Sequence, residues 1–202
     1  MTDKKRPHHH GNLREALILA GVALLEEQGA EALSLRKCAA RAGVSHGAPA
    51  HHFKGLAGLK TAIIARGHGI FASFMRNAQQ QAAPDPHAQL RAICEGYVEF
   101  ARHHGALFKF MFQAMDKDPA LLDPVTHAEF LRESGESYRI LQDACAPFET
   151  GKAGSLGTEI MIWSLVHGYA MLFCDTVPKF DPGVSIPDFS QILPVMKLKD
   201  NG

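Results

Sequence analysis

No two of the four cysteines, Cys38, Cys94, Cys145 and Cys174, stand close enough in sequence for a C-x-x-C pair. That spacing excludes a zinc ribbon and offers no disulfide framework, so buried free thiols are expected. The chain has no G-x-S-x-G, no H-E-x-x-H and no Walker loop, which removes the common hydrolase, metalloprotease and nucleotide signatures. Its paired histidines beyond the N-terminal run, His51/His52 and His103/His104, are sequence neighbours. Neighbours sit ~100° apart on a helix and do not grip one metal from one face. A small all-α metal-dependent enzyme is thus the weakest of three readings, and no catalytic residue, metal or cofactor is predicted. The most apolar stretch, Ile160–Cys174, is interrupted by Ser164, His167 and Gly168 and falls short of the ~20 residues of a bilayer span. No apolar leader follows Met1. A soluble, cytoplasmic protein with no membrane partner is expected.

Net charge is also missing, with 21 Lys and Arg against 21 Asp and Glu. The distribution is uneven. Residues 1–60 hold nine basic and five acidic side chains, a net of +4, and six of the 12 histidines; the remainder carries −4. A basic binding module joined to an acidic body has this asymmetry.

With 202 residues and 46% hydrophobic content there is material for a packed core. Helical spacing recurs throughout and strand alternation nowhere, so the fold is read as all-α with about nine helices. Leu13, Leu17, Ala20 and Leu24 line one face of a first helix, with Asn12 as its N-cap and Gly29 as its stop. Ser34 caps a short second helix with inner residues Leu35, Cys38, Ala39 and Ala42. Gly43 turns the chain, and Ser45 caps a third helix running towards Phe53. Further helices are predicted over 57–81, from Leu90 to about Gly105, and over 107–115, 125–146, 158–176 and 188–196.

The first three helices form a helix-turn-helix bundle, whose last helix is the length and shape to enter a major groove. Arg36, Lys37 and Arg41 on the preceding helix supply charge for the phosphate backbone. Ser45, His46, Gly47, Ala48, Pro49, His51, His52 and Lys54 are the candidate groove contacts, because neutral or protonated imidazole bonds to base edges and phosphates alike. Lys4, Lys5 and Arg6, before His8-His9-His10, form a basic arm that either follows a phosphate track or stays solvated. Pro49 lies inside the expected recognition helix, where it removes a backbone donor.

Asn12-Leu-Arg-Glu-Ala-Leu, Glu26-Glu-Gln-Gly29, Ser34-Leu-Arg36, Ala39-x-x-Ala42-Gly43-Val44-Ser45-x-Gly47 and His51-x-Phe53-Lys54 together resemble the N-terminal module of TetR-type transcriptional regulators, over about residues 8–70. Trp163-Ser-Leu-Val-His167-Gly168 resembles a tryptophan-histidine-glycine signature in the effector domains of one branch of that family. The resemblance implies a DNA-binding domain over 8–70 and a ligand-binding and dimerisation domain over 71–202. It implies a homodimer on a palindromic duplex operator, released by a small-molecule effector. Many relatives carry a tyrosine where this chain has Ala50. That departure keeps open an alternative, an effector-binding relative that has lost operator binding.

The second half is rich in aromatic and Met residues, a composition that fits either a plain core or a ligand pocket. On the resemblance a pocket is expected, with Phe71, Phe74, Met75, Tyr97, Phe100, His104, Phe108, Met111, His127, Phe130, Trp163 and His167 as candidate lining. Twelve of the 15 residues from Ile160 to Cys174 are apolar, so this helix is apolar on every side. It is either a central core helix or one that also packs against a second copy. Ile160, Trp163, Val166 and Met171 are the candidate dimer contacts.

Overall fold

The 3.6-residue apolar periodicity of the sequence is realised, in a computed structural model that describes residues 13–113, 123–173 and 185–200, as eight α-helices. They are α1 (Leu13–Gln28), α2 (Leu35–Arg41), α3 (Gly55–Gln81), α4 (Pro86–His103), α5 (Gly105–Gln113), α6 (Pro124–Cys145), α7 (Gly154–Phe173) and α8 (Phe189–Ile192). Two 3-10 turns, Ala30–Ala32 and Ala48–His51, fill the gaps on either side of α2.

Helix starts follow side-chain chemistry. The Ser34 hydroxyl accepts the Lys37 amide at 3.2 Å. Asp85 accepts the amides of His87 and Ala88, and Asp123 that of Thr126; each is followed by a proline in the first turn of its helix.

α3 spans 27 residues, ~40 Å. Its first half packs on α1 and α2, and its second half on α4 and α6. Position 70, the boundary expected between two domains, lies inside this unbroken helix, so both halves of the chain share α3. Arg14 of α1 binds Glu129 Oε2 of α6 at 2.6 Å, His104 pairs with Glu26, and Arg66 pairs with Glu15. At the far end, the C-terminal residues close on the α6–α7 turn through a Phe148–Leu198 bridge.

Four elements differ most from the sequence expectation, one of them α4, which starts at Pro86 rather than Leu90. The third helix, expected from Ser45 to Phe53, is the single 3-10 turn Ala48–His51, entered from Gly47 rather than capped by Ser45. Pro49 is tolerated only in a first turn, so no helix starts earlier; Gly55, at φ 73, stops one from running on. The last helix is one turn rather than 188–196, because Pro194 holds Leu193 extended (φ −61, ψ 121). α7 begins at Gly154, four residues before the expected start. At 20 residues it is long and apolar enough, by length and composition, to cross a bilayer, but it packs against α4 and α6 as a bundle helix.

At Gly96, α4 touches the α3 backbone: an added Cβ would stand 2.7 Å from the Phe74 carbonyl oxygen and 2.9 Å from Met75 Cα. Gly96→Ala is therefore expected to destabilise the chain by about 2 kcal/mol, since backbone does not yield as a side chain does. Gly135→Ala, in the interior of α6 with nothing near its missing Cβ, is expected to gain up to about 1 kcal/mol. Urea unfolding of the two variants checks both signs.

Candidate nucleic-acid interface and interior cavity

The stretch from α2 to the start of α3 presents a polar surface. Arg36 and Lys37 on α2 are exposed, as are Ser45, His46, Gly47, Ala50, His51 and Lys54. His52 is half-buried, its ring 6.4 Å from that of Phe53. Phe53 is buried and anchors the segment, with the Arg14 guanidinium 5.4 Å above its ring. Ala48 and Pro49 are corrected as contact residues: both are buried, because the short turn points its apolar side into the bundle. Arg41, on α2 with Arg36 and Lys37, is exposed and already paired. It grips Glu27 with two bonds of 2.5 and 2.7 Å, which raise the arginine's pKa and lower the carboxylate's. Lys4, Lys5 and Arg6 lie outside the described residues.

A cavity of about 250 Å³ opens between α3, α4, α5, α6 and α7. Six expected residues line it: Phe71, Met75, Tyr97, Met111, Phe130 and Trp163. The other six do not. Phe100 and Phe108 are wholly buried core, and Phe74 packs on Phe100 and the imidazoles of His103 and His104. His104 Nδ1 lies 3.2 Å from Glu26 Oε1 of α1 and is not part of the wall. His127 lies half-buried on α6, away from the cavity wall. His167 stands behind the wall, its Nδ1 2.8 Å from the Tyr97 hydroxyl.

The wall also contains Phe112 and Tyr138, from the aromatic and polar groups of the second half, and His68, Ser134, Ser137 and Leu141, which sequence reasoning did not select. Their spacing carried a signal. His68, Phe71 and Met75 share one stripe of α3, and positions 134, 137, 138 and 141 share one of α6.

The polar groups of this wall are tied together. His68 Nδ1 lies 2.9 Å from Ser137 Oγ, which donates to the Ser134 carbonyl at 2.9 Å. The Tyr138 hydroxyl donates to Glu159 Oε2 at 2.5 Å, and that carboxylate is itself buried. Burial pushes the His68 imidazole down to about 4 against the opposing pull of Glu133, so the ring is neutral. Burial likewise lowers His167 and raises the Tyr97 phenol.

α7 turns Ile162, Val166, Tyr169 and Ala170 into the core. Val166, expected at a dimer contact, is fully buried by its own chain and is corrected to a core residue. Ile160 and Trp163 are exposed and Met171 is half-buried; Leu156, Met161 and Leu172 add exposed apolar surface that was not anticipated. Among the described residues, no three His, Cys, Asp or Glu side chains gather as metal ligands, and Cys38, Cys94 and Cys145 are buried free thiols.

The chain matches the family described as bacterial regulatory proteins, tetR family, over residues 17–63, and the tetracyclin repressor-like C-terminal domain over residues 90–181. The two matches together span more than two thirds of the chain. Among solved structures it resembles a protein of unknown function from Rhodococcus sp. RHA1, at 27% identity and TM-score 0.67, over 83% of this chain and 86% of that one. It shares a fold with the TetR family transcriptional regulator PfmR from Thermus thermophilus, at 17% identity and TM-score 0.56, over 87% and 91% of the two chains. It also shares a fold with the transcriptional regulator FadR from Bacillus subtilis in complex with stearoyl-CoA, at 15% identity and TM-score 0.60, over 78% and 84%. No curated protein sequence matches significantly.

Because His68 is neutral in the folded chain down to about 4, the unfolded chain binds the extra proton between an ordinary histidine value and that point. Stability therefore rises with pH across that window and is lost on acidification, by about 3 kcal/mol for this group. Urea unfolding of wild type and His68→Phe from neutral pH to about pH 4 is expected to show a steeper acid loss in the wild type. A difference between the two that does not vary with pH contradicts the buried neutral ring.

Proposed function

Because the chain belongs to the TetR family of bacterial regulatory proteins, we propose that it is a cytoplasmic, homodimeric repressor, released from a palindromic operator when a small apolar effector enters the cavity between α3 and α6. The observation that carries this reading is α3 itself. It walls the cavity with His68, Phe71 and Met75, and its first turn is joined directly to the exposed segment that ends at Lys54. The domain division at 8–70 and 71–202 is then one of task rather than of chain continuity. Trp163-Ser-Leu-Val-His167-Gly168 supports reading the second part as the tryptophan-histidine-glycine type. Trp163 lines the cavity, and His167 holds the hydroxyl of Tyr97, which also lines it.

Arg36, Lys37 and the arm residues Lys4, Lys5 and Arg6 take phosphates. Ser45, His46, Gly47, His51, His52 and Lys54 face the groove, with Ala48 and Pro49 as their internal brace. Two copies on a twofold axis place these segments ~34–36 Å apart, one turn of duplex. The exposed apolar face of α7, with Ile160, Met161 and Leu172, is the contact between copies.

The one-turn length of Ala48–His51 favours a second reading, an effector-binding relative without operator binding. Salt-dependent binding to the chain's own upstream DNA separates the two. The repressor predicts a clear preference for that DNA over random duplex, and an Arg36→Ala, Lys54→Ala double variant whose log K against log salt slope is flatter by about two units. No preference in the wild type establishes the second reading. For assembly, Met161→Glu is expected to convert a sedimenting dimer to monomer, without loss of helical content by circular dichroism.

A further inference from the structure

The hydrogen-bond directions around the cavity fix what it offers a ligand. Only the hydroxyl supplies a proton between Ser137 Oγ and the Ser134 carbonyl, so Ser137 must accept from the imidazole. That assigns the neutral His68 ring as its Nδ1–H tautomer. Its Nε2 then carries a lone pair, and no described residue donates to it. His68 is part of the cavity wall, so among the described residues Nε2 is the imidazole nitrogen left for a ligand there. Among the described lining residues the Trp163 indole bonds to the Tyr97 hydroxyl, and two further donors are spent. Tyr138 gives its proton to Glu159, and Ser134 gives its own to the Phe130 carbonyl at 2.7 Å. Each keeps lone pairs. Among the described residues no Lys or Arg lines the cavity, and Glu133 and Glu159 stand close behind its polar end.

We propose that the cavity selects uncharged, hydrogen-bond-donating apolar molecules (alcohols, phenols and neutral N–H compounds of one or two rings) over ethers, ketones and carboxylates. This inference rests on the reading of the cavity as the effector site. A ligand acceptor placed against Nε2 meets lone pair with lone pair, and a donor completes an otherwise unmet bond. A carboxylate or phosphate meets no cation among the described lining residues and has two carboxylates nearby. The size follows from volume. An apolar cavity of ~150 Å³ holds one benzene, and this one is about 250 Å³. A phosphate-bearing acyl-CoA, such as the ligand of the Bacillus subtilis neighbour, fits neither the charge nor the space.

The test uses three ligands of one shape: para-tert-butylphenol, para-tert-butylanisole and para-tert-butylbenzoate. Trp163, the single tryptophan, lines the cavity and reports occupancy by fluorescence, with calorimetry giving affinity. The phenol is expected to bind about tenfold tighter than the anisole, and the benzoate weakest. In Ser137→Ala the imidazole is free to move its proton to Nε2 and donate, so the phenol-to-anisole ratio falls towards one while the fold persists. Nitrogen-15 spectra of His68 are expected to show the Nδ1–H tautomer in the wild type. An anisole or benzoate that perturbs Trp163 and binds as well as the phenol overturns the donor preference and leaves the effector cavity standing, as does an Nε2–H tautomer. If none of the three perturbs Trp163 up to millimolar concentration, the effector reading falls and this inference with it.

Discussion

One helix runs the length of a single packed core, and the rest of the molecule follows from that. The first half of α3 buries Leu59 and Ile63 against α1 and α2, and its second half buries Phe71 and Met75 against α4 and α6. Neither half of the chain is closed without it. Close packing makes such a helix stiff, because displacing either end opens voids that cost free energy in proportion to their volume. A change of shape at His68 is thus delivered to Gly55 by a rod, not diffused through a loop. A ligand still shifts the equilibrium only by its differential affinity for two arrangements. Filling an interior space that one arrangement leaves larger is the simplest source of that difference.

Charge plays a smaller part than its count suggests. Arg41 is spent on Glu27, Arg66 on Glu15 and Arg76 on Glu136, and pairs this exposed contribute little to stability. Arg14 is the exception in kind. It touches Glu129 and Thr126 on α6 and covers the Phe53 ring, so one guanidinium joins the body to the anchor of the exposed turn. Its value is geometric: a planar fork holds three partners in one arrangement. The positive excess of the first 60 residues accordingly overstates the cations left for phosphates.

Legibility in the sequence tracked how local each determinant was. The Ser34 cap and the apolar stripe of α1 are set within a few residues and are readable from the sequence, whereas Asp85 and Asp123, each just before a proline, carry the same local signal but were not selected. The 3-10 turn was misread because Ser45 is a good cap in isolation. The limits came from Pro49 and Gly55 acting together across six residues. Val166 was misassigned for a different reason: in a helix apolar on every side, only the neighbours decide which side is core. The cavity was half legible. Its aromatic wall stood out, whereas His68, Ser134 and Ser137 look like ordinary polar breaks until α3 and α6 are laid face to face. Even so, the spacing on each helix was there to be read.

A recognition element of one turn has a physical consequence for how such a protein finds DNA. Base-edge readout needs side chains that reach the groove, and Ala48 and Pro49 are turned inward while Ala50 has nothing to offer beyond a methyl. Under the proposed function, specificity therefore concentrates in Ser45, His46, His51 and Lys54. Each bonds to more than one kind of acceptor, so each discriminates modestly. Affinity must then come from Arg36, Lys37 and the N-terminal cations on the phosphates, which read position rather than sequence. Symmetry compensates. Two weakly discriminating copies held at a fixed separation reject any duplex whose half-sites are misplaced, so the rigidity of α3 and the contact along α7 set selectivity as much as any base contact does.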